Sequence, residues 1–145
     1  LYPMKRFFFS LEKLLDLRSF REKETELALG KAVSYRDGLQ LELDEVARKR
    51  VSSGRDRRGA LPIADLLAID RYIARLDNER DVLLEKIAEA ELLLEKARAD
   101  YIKANRERQV LSKLKEKKTA QWKKESLQDE AEVLDDIVNF KSRDV

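Results

Sequence analysis

The 145-residue chain has no cysteine and no histidine, only two prolines and four glycines, and a single methionine and a single tryptophan. Without thiols or imidazoles it can form no disulfide, ligate no zinc or haem through those side chains, and use no histidine as a general base. No catalytic, cofactor-binding or metal-ligating residues are therefore expected. Acidic pairs such as Asp135-Asp136 do not change this, because a solvated helix offers no pocket to perturb their pKa. No apolar run approaches the roughly 18 residues needed to cross a bilayer. The start also lacks the pattern of a cleavable secretory signal, and a cytoplasmic location is expected. With 31 basic against 29 acidic residues the formal net charge is only +2. Any electrostatic role must then come from local clustering.

What the chain does have is charge, 41% of its residues, arranged with helical periodicity. Ser10 is a candidate N-cap, and Glu12 suits the positive end of a helix dipole. A first helix is expected over 10–52. The breaker cluster Ser52, Ser53, Gly54, Gly59 and Pro62 predicts a loop over 53–61. A second helix is expected over 62–140, opening on Pro62 and with no glycine or further proline up to Phe140. Helices this much longer than the usual three or four turns need a coiled-coil partner. The expected fold is all-α: one domain over 1–145, two long helices in an antiparallel coiled-coil hairpin, the C-terminal helix extending beyond the N-terminal one.

In the second helix the steps of three and four run from Leu66 through Ile73, Leu83 and Leu94 to Leu111, interrupted only by Arg80 and Arg108. The first helix is noisier, stepping from Phe8 through Leu15, Glu22, Thr25 and Leu39 to Arg50. Folding at the loop sets Leu11 opposite Ala104, Leu29 opposite Ile87, Leu39 opposite Leu76 and Val46 opposite Ile69. That register opposes Arg36 and Arg80. It leaves an overhang of about 36 residues, or ~54 Å, on the second helix, with residues from 112 onward past the intramolecular seam. Gly30 and Gly38 each cost about 1 kcal/mol of helix propensity, and Asp37-Gly38 is an expected kink.

Residues 103–124 carry nine basic side chains against Glu107 and Glu116, a local net charge of +7. Residues 125–136 reverse it with six acidic and no basic ones. A basic helix that binds nucleic acid is one reading, but the adjoining acidic block would repel the same phosphates, and stacking is limited to Trp122. A solvated face on a generic coiled-coil scaffold is another. The second basic cluster, Arg48, Lys49, Arg50, Arg55, Arg57 and Arg58, reads as solubility at the loop. Phe7, Phe8 and Phe9 are placed to close the open end of the hairpin or to staple the first helix. Tyr72 falls on a different face from Ile69, Ile73 and Leu76, either as an exposed aromatic of a binding patch or as part of a partly covered coiled-coil flank.

Two stretches together resemble the FliJ family of flagellar export proteins. One is the opening Met4-Lys5-Arg6-Phe7-Phe8-Phe9-Ser10-Leu11-Glu12-Lys13-Leu14-Leu15-Asp16-Leu17-Arg18 with Phe20-Arg21-Glu22. The other is Leu111-Ser112-Lys113-Leu114-Lys115-Glu116-Lys117-Lys118 with Trp122, Glu130 and Leu134-Asp135-Asp136-Ile137. The resemblance implies a non-enzymatic stalk that stands in the pore of the hexameric flagellar export ATPase and promotes its assembly and activity. It also implies contacts with the membrane export gate and with export chaperones, no nucleic acid, and a cytoplasmic place at the flagellar base, peripheral to the inner membrane only through partners. Lys113, Lys115, Lys117 and Lys118, with Trp122, Leu127, Leu134 and Ile137, would enter the ring. The gate-binding patch would map to Tyr72, Leu76 and Leu83, where Glu79 departs from the small apolar residue expected. Injectisome stalk proteins share this architecture.

Overall fold

The computed structural model describes residues 6–143, so Met4 and Lys5 of the opening phrase lie outside the described residues. Two α-helices, α1 (Glu12–Asp56) and α2 (Ile63–Arg143), pack against each other, and there is no strand among the described residues. This is the expected all-α hairpin.

The helix ends differ from expectation for local reasons. Phe9 accepts a hydrogen bond from the Glu12 amide at 3.1 Å, so Ser10 lies in a turn that precedes α1. At the other end α1 runs straight through Ser52, Ser53 and Gly54 to Asp56. Ser53 falls seven residues after the buried Val46 and is itself buried. Docking on a partner helix thus outweighs weak local propensity. The Pro62 carbonyl accepts from the Asp65 and Leu66 amides at 3.0 and 3.1 Å, making Pro62 the cap of α2. Gly30 and Gly38 are helical with negative φ, so α1 is unbroken at the expected kink.

The contacts divide the chain into two units: a loop unit of residues 23–102 and a terminal unit of residues 1–22 with 103–145. In the loop unit the middle of the seam is apolar, with polar Thr25 and Ser53 buried outside that stretch. Leu39, Val46, Leu76, Leu83 and Ala90 are buried in one cluster, with Leu43 and Ile87 packed against it. Ion pairs flank it: Arg36 to Glu91 at 3.5 Å, Arg50 to Asp77 at 3.0 Å and Arg57 to Asp70 at 2.6 Å. The hydrogen bond from Arg57 holds the Asp70 carboxyl below its ordinary pKa, and the same bond raises that of Arg57.

Those three pairs correct the expected register. The two residue numbers in each pair add to 127. The expected pairings Leu39 with Leu76 and Val46 with Ile69 add to 115, so α2 is displaced by 12 residues, roughly 18 Å of helix. Arg36 does not face Arg80; it reaches Asp37 and Glu91, and Arg80 reaches Asp77 and Asp81. A heptad seam fixes which face is buried but leaves sliding along the axis open. Removing the opposed guanidiniums and giving each a carboxylate distinguishes the observed position from the expected one.

In the terminal unit the same displacement sets Glu12 opposite Lys115, where Leu11 opposite Ala104 was expected. The seam here is mixed. Phe9, Leu15 and Leu111 form a small buried cluster with Phe7 and Leu114 against it. Beside it Arg108 Nε donates to Glu22 at 2.7 Å, Asn105 donates to the same carboxylate at 2.9 Å, and Arg18 pairs with Glu107. The overhang is correspondingly shorter than expected. Contact between α2 and the segment that leads into α1 reaches Trp122, after which α2 runs on for 21 residues to Arg143.

Candidate functional site

The outer end of α2 begins where α1 starts. Phe7 lies beside Trp122 with ring centroids 6.0 Å apart and planes tilted by 58°. Phe9 is buried and Phe8 faces solvent. Two of the three phenylalanines therefore close this end of the seam. Lys115 Nζ lies 2.8 Å from a Glu12 carboxylate oxygen, and Thr119 Oγ1 donates to the Lys115 carbonyl at 2.8 Å.

The eight residues assigned to ring entry thus separate into two groups. Lys115 and Trp122 already have partners on the segment that leads into and begins α1. Lys113, Lys117 and Lys118 are exposed and form no ion pair among the described residues. Leu127, Leu134 and Ile137 are exposed, at 67%, 63% and 48%.

Past Trp122 the helix carries two apolar rows. Leu127, Ala131, Leu134 and Val138 step by four, three and four residues. Val133, Ile137 and Phe140 form the second row and, with Asp136 and Lys141, line a shallow surface hollow. Val133 and Phe140 were not singled out from the sequence. The available signal was the seam stepping itself, which continues from Trp122 through Ser126 and Val133 to Phe140 but is masked by polar Ser126 and Asp129.

The gate-patch residues are not brought together on one surface. Tyr72 is partly exposed, with the Arg75 guanidinium carbon 5.7 Å from its ring centroid. Leu76 and Leu83 are buried, at 3% and 8%, and belong to the core of the loop unit. They are seven residues apart on the seam row, which is why they turn inward.

Among the described residues no group of three or more carboxylates could hold a metal ion. No described helix is long and apolar enough to cross a membrane. The surface is thus one of exposed lysines followed by two apolar rows, which suits contact with another protein.

The family model described as Flagellar FliJ protein matches residues 7–144 of the chain. Among curated proteins and among solved structures, no match is found.

Proposed function

Because the chain belongs to the FliJ family of flagellar proteins, we propose that it is a non-enzymatic stalk of the flagellar protein export apparatus. On this reading the outer end of α2 binds the hexameric export ATPase, promotes assembly and activity of its ring, and couples it to the export gate. The supporting observation is the 21-residue continuation of α2 past Trp122, with its exposed apolar rows. A helix with so much apolar surface in water gains most from a surrounding protein partner. Lys113, Lys117 and Lys118 add unpaired positive charge, which acts mainly on association rate.

The gate contact is proposed on Tyr72 and the exposed flank beside it, with Leu76 and Leu83 supporting that flank from the core. Export chaperones are further partners on this reading, and the flagellar base is the place of action.

The direct test truncates the chain after Trp122. Cutting from 112 would also remove Leu114, Lys115 and Trp122, which pack on or pair with the start of α1. The shorter chain is expected to keep its helical circular dichroism in proportion to length and to lose stimulation of the export ATPase. Full stimulation by the truncated chain would place the ATPase contact elsewhere.

A further inference from the structure

The loop unit ends in an apolar tip above a collar of arginines. Since Arg57 pairs with Asp70, residues 58–69 lie beyond the last level at which α1 and α2 face each other. Within that segment Ile63 is 77% exposed and Leu67 is 52% exposed, one turn apart on the same face of α2. Leu61 is exposed beside the exposed Ala60 and Pro62. Arg58 stands at the base of that segment and Arg55 and Arg71 just below it, all exposed and without an ion pair among the described residues. Asp56 and Asp65 are the unpaired carboxylates at this end, since Asp70 is held by Arg57. Asp65 is two residues from Ile63 and so lies on the opposite side of the helix.

We propose that this tip docks directly on an anionic lipid bilayer, Leu61, Ile63 and Leu67 entering the interface while Arg55, Arg58 and Arg71 lie among the headgroups. The surface is convex and presents its apolar side chains outward at a chain reversal. A planar bilayer accepts such a shape without a matching groove. The order of chemistry along the axis, apolar outermost and arginine one level below, is that of the acyl boundary and the headgroup layer. Long arginine stems lie along apolar surface while their heads stay with phosphate. This departs from the expectation that the chain meets a membrane only through partners, and it stands whether or not the ATPase reading holds.

Flotation of the full chain with two vesicle populations tests it: neutral phosphatidylcholine alone, and the same lipid with a third of phosphatidylglycerol. Binding to the anionic vesicles is expected to exceed that to neutral ones by roughly ten-fold or more at low salt. Reversing charge in R55E/R58E should remove that difference. The pair I63S/L67S should lower binding to anionic vesicles by roughly ten-fold while the charge dependence persists. Circular dichroism on both variants checks that the helices remain. Equal binding to the two vesicle types overturns the proposal. So does anionic binding that neither tip variant changes, which would assign it to the basic stretch 103–124. Loss of vesicle binding with retention on a soluble acidic protein would equally overturn it.

Discussion

The two units use the same pair of helices and the same register, yet they are held in different ways. In the loop unit the seam centres on an apolar cluster, Leu39 and Val46 with Leu76, Leu83 and Ala90, which has arginine-carboxylate pairs along its flanks and the buried polar residues Thr25 and Ser53 outside it. In the terminal unit the seam itself is interrupted by Glu22, Arg108 and Asn105, and the apolar part shrinks to a few residues around Phe9 and Leu111. Apolar burial is insensitive to salt and costly to lose, whereas a part-buried charge network weakens with ionic strength and opens locally. One hairpin thus carries a firm unit and a more easily opened one.

The largest expected effect tests the firm unit. Leu76→Ala should lower stability by about 2–3 kcal/mol in urea unfolding, from lost burial plus a residual cavity. Leu111→Ala in the terminal unit should move the global midpoint less, because that unit can open before the rest unfolds. Equal losses would erase the distinction between the seams.

A smaller effect is expected at Glu22, which accepts hydrogen bonds from both Arg108 and Asn105. Glu22→Ala should cost about 1–2 kcal/mol of local stability, read as faster amide exchange over residues 15–22. Exchange over residues 39–46 should be unchanged. Raising salt from 0.1 M to 1 M shortens the screening length from about 10 Å to about 3 Å and should act in the same direction on the same segment. Faster exchange in both segments would show that the units do not open separately.

The smallest effect concerns the helix backbone. Nothing lies within 4 Å of a Cβ placed on Gly30 or Gly38, and both have negative φ. Gly30→Ala and Gly38→Ala should each raise stability by about 0.5–1 kcal/mol, seen as a higher Tm. A loss at either position would mean that the space around it is needed in another conformation of the loop unit.

Which faces are buried was legible in the sequence. The three-and-four stepping from Leu66 to Leu111 falls on buried or half-buried positions everywhere except Arg80. On the α1 row Arg18, Glu22, Thr25 and Arg36 lie on the inner side although they are polar, whereas Phe8, Leu11 and Arg50 at its two ends are exposed. Register was not legible in the same way, because apolar periodicity repeats itself and a slide of several residues still buries leucine against leucine. The information that discriminates lies in the charged residues flanking the seam, and the opposition of Arg36 and Arg80 was the sign of a wrong slide. Loop boundaries failed for a related reason. Ser52, Ser53 and Gly54 read as breakers locally, but Ser53 occupies the seam position one heptad after Val46. Of the candidate site, the lysines and outer leucines were readable as exposed. The engagement of Lys115 by Glu12 and of Trp122 by Phe7 required the register to be known.

The contact between Phe7 and Trp122 also gives the molecule a built-in optical reporter. Trp122 is the single tryptophan of the chain, and its indole sits against the segment that leads into α1, beyond which α2 continues alone. Its emission therefore senses two events without any label: undocking of the phenylalanine-rich lead-in, which admits water to the ring, and arrival of a partner on the adjoining lysines, which excludes it. The two move the emission maximum in opposite directions, so one spectrum separates loosening of the hairpin end from engagement of a partner.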